Sequence, residues 1–193
     1  MDYDAFYSEL FAPLEESIGP IDAETIVAII GFDAGGPLNF STIGYAGETE
    51  LGTFVSCELA VRPEQKPASF GRYELLTTCD SEQWVRSTLT ALGQATMDFK
   101  FGHRHTLDIG VWVDDDAPFQ GLLLERESTA KIDGKKYGVM RVIGLTRAEL
   151  DFAVKKSVPQ LITKLKKADV YPNTLMERES CLLYTSPSPR DRG

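Results

Sequence analysis

The chain has 193 residues, 42% of them hydrophobic and 25% charged, enough to bury a core without disulfide staples and ordinary for a globular protein. Its net charge of −9 repels nucleic acid and anionic membrane surfaces and favours encounters with basic partners. No run of about 18 apolar residues occurs, so no transmembrane helix is expected. The N-terminal Met1-Asp2-Tyr3-Asp4 is acidic and lacks the basic and apolar stretches of a signal peptide, and a cytoplasmic protein is expected. Cys57, Cys79 and Cys181 show no CxxC spacing. That argues against a disulfide framework, and Cys57 and Cys79 are expected to behave as small buried hydrophobes.

Residues 3–17 place Phe6, Leu10, Phe11 and Leu14 at helical spacing, predicting an amphipathic helix that Gly19-Pro20 ends. Residues 25–32 form a β-branched apolar run that reads as a buried strand. Residues 33–37 read as a loop, 40–46 as a short strand, and 47–50 as a turn into a strand over 53–61. Residues 62–69, with Pro63 and Pro67, are expected to be an exposed connection. A strand over 73–78 follows. Asp80 is then expected to cap a helix, with Gln83 completing a capping box. Val85, Leu89 and Leu92 form the apolar stripe of that helix, with Trp84 beside it.

Residues 106–113 and 121–125 read as strands separated by Asp114-Asp115-Asp116-Ala117-Pro118. Asp133-Gly134 signals a turn before a strand over 137–143. Thr146 and Glu149 fit a second capping box, with Leu145 and Leu150 as its hydrophobic staple. Pro159 suits the first turn of a last helix that carries Leu161, Ile162 and Leu165. There is no internal repeat. The pattern predicts an α+β fold, a largely antiparallel sheet with helices packed on one side, in a single domain over residues 1–180. Residues 181–193, ending Ser-Pro-Ser-Pro-Arg-Asp-Arg-Gly, have no apolar period and resemble translated adapter read-through or an assembly scar. Their loss leaves the acidic surplus in place.

His103 and His105 would share one face of an extended segment, because strand side chains alternate. Zinc needs three or four ligands, and no HExxH or cysteine pair accompanies them, so a polar turn is expected and no metal. Asp114, Asp115 and Asp116 lack the alternating ligands, glycine and closing glutamate of a calcium loop. They read as a solvated acidic loop, and as a candidate surface for a cationic protein partner. Gly31-Phe32-Asp33-Ala34-Gly35-Gly36 lacks the Lys-Ser or Lys-Thr of a phosphate loop, and no GxSxG elbow is present. No cofactor is expected.

In chain order, Tyr73-Glu74-Leu75, the helix from Trp84, Phe101-Gly102-His103 leading into Thr106-Leu107-Asp108-Ile109, Gly144-Leu145-Thr146 with Glu149-Leu150, and Arg178-Glu179-Ser180 together resemble the Suppressor of fused domain in its short bacterial form. The resemblance covers roughly residues 70–180. It implies a binding or regulatory protein rather than an enzyme, often an immunity or antitoxin partner of a polymorphic toxin. The animal namesake holds a transcription factor between two lobes, and this sequence shows no counterpart of the second lobe. The expected function is therefore non-enzymatic protein binding, with a basic toxin as the partner the acidic balance suits, and with neither nucleic acid nor membrane as a target. The alternative is a hydrolase or metal-dependent enzyme built on His103, His105 and nearby acidic residues.

Overall fold

The computed structural model describes residues 2–31, 37–43 and 51–183, and of 22–31 and 37–43 only the backbone. The expected loop at 33–36, the end of the strand at 44–46, the turn at 47–50 and most of the tail lie outside these residues.

Helix α1 (Tyr3–Ile18) begins where the Asp2 carboxylate accepts from the Ala5 N–H at 3.2 Å, and it stops at Gly19, whose φ of 103° suits glycine. Strands β1 (Asp22–Gly31), β2 (Pro37–Ile43), β3 (Gly52–Cys57) and β4 (Arg72–Cys79) follow, each antiparallel to the one before. Helix α2 (Glu82–Asp98) precedes the short β5 (His105–Asp108) and the hairpin of β6 (Gly121–Ile132) and β7 (Lys135–Leu145). Helices α3 (Arg147–Lys155) and α4 (Val158–Lys167) complete the elements. The seven strands run in the order β1-β2-β3-β4-β7-β6-β5, and β4 and β7 pair in parallel, Arg72 opposite Tyr137. This mixed but mostly antiparallel sheet with packed helices is the α+β fold the sequence predicts.

By contacts the chain divides into two compact units, residues 1–105 with 124–142, and residues 106–123 with 143–193. In the first, Phe6, Leu10, Phe11 and Leu14 of α1 pack with Val55, Leu76, Ile132, Tyr137 and Val139, and the Phe6 and Tyr137 rings meet edge to face at 4.9 Å. α2 buries Trp84, Val85, Leu89 and Leu92, and lies on β3 and β4. In the second unit Leu123, Ile143, Leu145 and Leu150 pack with Leu161, Ile162, Leu165 and Cys181.

Several expectations need correction. β4 is buried at every position from Tyr73 to Leu76, so both faces of the sheet are covered there, not one. The connection over residues 62–69 is mostly exposed, as expected, but it is anchored. Gln65 is buried, its side chain donating to the Tyr73 carbonyl and accepting from the Tyr73 N–H, both at 2.9 Å, so it stands in for a strand neighbour. Ser81 rather than Asp80 caps α2 through the Trp84 N–H, which shifts the box frame by one residue and leaves Gln83 without its expected role. The predicted strand over 106–113 stops at Asp108, where the chain bends at Gly110.

Candidate functional site

Beyond β5 the second unit builds a loop over residues 109–119. Its ends are buried side chains, Ile109 and Phe119, and backbone bonds from Ile109 N to the Gln120 carbonyl (3.0 Å) and from Gln120 N to the Leu145 carbonyl (3.0 Å) hold them together. Arg147, at the start of α3, grips Asp108 with both terminal nitrogens at 2.6 and 3.0 Å and reaches Gln120 Oε1 with Nε at 2.9 Å. The hydrogen bonds from Arg147, then that from the Gly110 N–H, hold the Asp108 carboxyl below its usual range. Gln120 in turn donates to the Asp115 carbonyl at 2.5 Å. The loop is thereby clamped by a forked guanidinium rather than left loose.

What this loop presents is unusual for a surface. Val111 is 90% exposed and Trp112 41%, and Asp114, Asp115 and Asp116 beside them are all exposed, with a turn closed by Ala117 N donating to the Asp114 carbonyl at 3.0 Å. No ion pair engages these three carboxylates among the described residues. Arg147, a cation joined to the loop, is committed to Asp108 and Gln120. An exposed aromatic flanked by unpaired carboxylates can receive a cationic surface that also carries apolar area. The sequence singled out the three aspartates. It missed Val111 and Trp112 because the apolar run looked like a strand, although Asp108-Ile109-Gly110 was the available turn signal.

Phe119 is held from the other side. The Arg178 guanidinium lies over its ring at 5.0 Å. Arg178 also makes two bonds of 2.7 Å to the Glu149 carboxylate and one of 2.8 Å to the Gly144 carbonyl. Glu149 is the capping-box residue of α3, accepting from Thr146 N as expected, and it also accepts from Cys181 N at 2.8 Å. Burial pushes the Glu149 carboxyl up, but the Arg178 hydrogen bonds and charge outweigh it and hold the group below the ordinary value. Arg178 of the Arg178-Glu179-Ser180 block thus braces the helix cap and the loop anchor.

The histidines do not form a site. His103 lies in a turn and Arg104 has φ 65°, so the segment is not extended and the two rings are not placed on one face. His103 Nδ1 accepts from Arg126 N at 3.1 Å, and His105 begins β5. Among the described residues no group of three or more His, Cys, Asp or Glu could hold a metal ion. Burial pushes the Cys79 and Cys181 thiols up to about 12, far from a reactive thiolate. An open groove of about 460 Å³ in the first unit, lined by Tyr3, Glu58, Val61, Arg62, Pro63 and Glu64, holds no nucleophile set beside a base. No helix among the described residues is long and apolar enough to cross a membrane.

Comparison with known proteins bears on the family and the fold. The family model for Suppressor of fused protein (SUFU) matches residues 37–179, and the chain belongs to the Suppressor of fused family. A chain of the Sufu–Fu complex crystal structure superposes with a TM-score of 0.68 at 12% identity, over 95% of this chain and 93% of that one. The Suppressor of fused homologue from Neisseria gonorrhoeae FA 1090 gives 0.60 at 20% identity, over 94% and 97%. Drosophila Suppressor of Fused gives 0.59 at 13% identity, over 80% of this chain but 45% of its own length. At these identities the likeness is one of fold. No curated protein sequence matches the chain significantly.

Proposed function

We propose that this chain is a non-enzymatic protein-binding module that acts by occupying a partner with a basic surface, and that the loop over residues 109–119 contacts it. The observation that carries the reading is the pairing of exposed Val111 and Trp112 with unpaired Asp114, Asp115 and Asp116 on a clamped loop. Trp112 offers the rigid aromatic anchor common at the centre of interfaces, and the carboxylates supply steering and register. A clamped loop loses little freedom on binding, so less of the contact energy goes into ordering it. A relative in this family was crystallised as the Sufu–Fu complex, which supports protein binding as the mode of action. The acidic balance of the whole chain suits a basic toxin held neutral in the cytoplasm.

The hydrolase reading has less to rest on, because His103 sits in a turn and His105 begins β5, and neither is joined to a carboxylate or a nucleophile by any hydrogen bond described. The test is co-expression with the product of the adjacent gene, followed by pull-down. Binding that survives in Asn-substituted Asp114, Asp115 and Asp116 and in Trp112→Ala would remove the loop from the interface. An empty screen together with a hydrolytic activity lost on His105→Ala would replace the binding reading altogether.

A further inference from the structure

The first unit carries an exposed surface of the opposite chemistry. α2 ends at Asp98, and the chain then runs through Phe99, Lys100 and Phe101 into a turn in which His105 N donates to the Gly102 carbonyl at 3.2 Å. The turn is fastened along β6, because Arg104 N donates to the Leu124 carbonyl at 2.6 Å and Arg126 N donates to His103 Nδ1 at 3.1 Å. Phe99 is 63% exposed, with its ring 6.5 Å from that of half-buried Phe101. Lys100 and Arg104 are exposed on this stretch, as are His103 and His105, and Arg126 is exposed on the strand to which the turn is fastened; none of the three cations makes an ion pair among the described residues. The neighbouring acids are Asp98 on this stretch and, flanking Arg126, the buried Glu125 and Glu127, which pairs with Arg141. Acidic residues outnumber basic ones 29 to 20 in this chain, so a stretch that exposes three unpaired cations together with a phenylalanine runs against its overall charge.

We propose that Phe99, Lys100, Phe101, Arg104 and Arg126 form a second docking surface, separate from the loop over 109–119, for an acidic peptide segment bearing an aromatic or large apolar residue. The guanidinium groups of Arg104 and Arg126 match carboxylates in a two-pronged geometry that lysine cannot reproduce, and Phe99 with Phe101 offers the apolar seat. Single-stranded nucleic acid would also suit stacked aromatics among cations. The surplus of negative charge over the whole chain opposes a long polyanion more than a short peptide with a few carboxylates, which favours the peptide.

The experiment is a fluorescence anisotropy titration of the full chain with three probes: a short Glu- and Asp-rich peptide containing one Trp, its Lys-substituted counterpart, and oligouridine. The acidic peptide is expected to saturate and the basic one not to. Lys100→Glu with Arg104→Glu and Arg126→Glu, or Phe99→Ser alone, should each weaken it by about tenfold or more, as loss of an anchor and its surrounding charges does. Asp114→Lys should not weaken it. Circular dichroism melts establish that the variants fold, and NMR shift changes of the unmodified chain, expected at residues 99–105 and 126, make the test independent of them. Absence of saturation, shift changes elsewhere, tighter binding of oligouridine, or an effect of charge reversal with none from Phe99→Ser would each overturn the proposal.

Discussion

Glu74 is surrounded by donors only. Ser56 Oγ donates to it at 2.6 Å, Ala60 N at 2.7 Å and Tyr7 Oη at 3.0 Å, and it makes no ion pair among the described residues. Ser56 Oγ accepts from Leu75 N, and Tyr7 Oη accepts from Glu58 N, so α1, β3 and the turn after it are fastened to β4 through one carboxyl group. Burial pushes that carboxyl from 4.5 to about 7 despite the hydrogen bonds that favour its charge. The same burial, and then the neighbouring Glu74 charge, raise the Tyr7 hydroxyl. Because the folded-state value is raised, the folded chain holds a proton that the unfolded chain has released between pH 4.5 and about 7. Stability from this group is therefore full below pH 4.5 and falls as pH rises through that window, by at most about 3 kcal/mol. Glu74→Gln should flatten the difference in denaturation free energy between pH 5 and 7, and an unchanged slope would contradict it. Glu149 has the opposite sign. Its lowered value adds stability at neutral pH that is lost as pH falls below the ordinary carboxylate range. Arg178→Ala, which leaves that carboxylate buried without its partner, should cost about 3–5 kcal/mol in urea melts, whereas a loss under about 1 kcal/mol would mean the pair is dispensable.

At the scale of elements, the strongest local signals were the readable ones. Helix α1, the capping box of α3 and the proline of α4 each rest on short-range rules, a 3.6-residue stripe or a cap, and each forms where the sequence places it. Longer-range substitutions were not readable. Gln65 replaces a strand neighbour through its side chain, and Arg147 clamps Asp108 across 39 positions, neither of which leaves a periodic trace. The charged part of the candidate site, Asp114 to Asp116, was therefore legible as exposed charge. Trp112 was not, since an apolar residue next to Val111 and Val113 looks like strand until Gly110 bends the chain. Two substitutions test the packing of these elements by chemical denaturation. Trp84→Ala should cost about 2–5 kcal/mol as an emptied core site; a loss below about half a kcal/mol would place it on the surface. Gly71 has φ 101°, and a Cβ there would sit 1.8 Å from the Lys136 carbonyl oxygen. Gly71→Ala should thus disturb the β4–β7 pairing, and a wild-type melting temperature for it would contradict that register.

For the molecule as a whole, an acidic chain folds into an α+β architecture of the Suppressor of fused family, and among the described residues Phe99, Val111 and Trp112 are large apolar side chains exposed in its loops. Cys181 is fully buried in the second unit and its N–H serves Glu149, so packing extends at least that far along the chain. Removing residues 184–193, whose sequence has no apolar period, should leave thermal melts unchanged. Removing residues from Cys181 onward should lower the melting temperature. Identical melts for the two would show that Cys181 contributes nothing.

The central claim, that the loop over 109–119 receives a basic partner, is tested most directly by the association rate of the purified pair as a function of ionic strength. Charges on the loop act over a screening length of about 10 Å at 0.1 M salt, so association should slow steeply as salt rises. Asp114→Lys, Asp115→Lys and Asp116→Lys combined should slow it at low salt and weaken that dependence. Rates that are independent of salt, or equal in the wild type and the charge-reversed chain, would contradict the account.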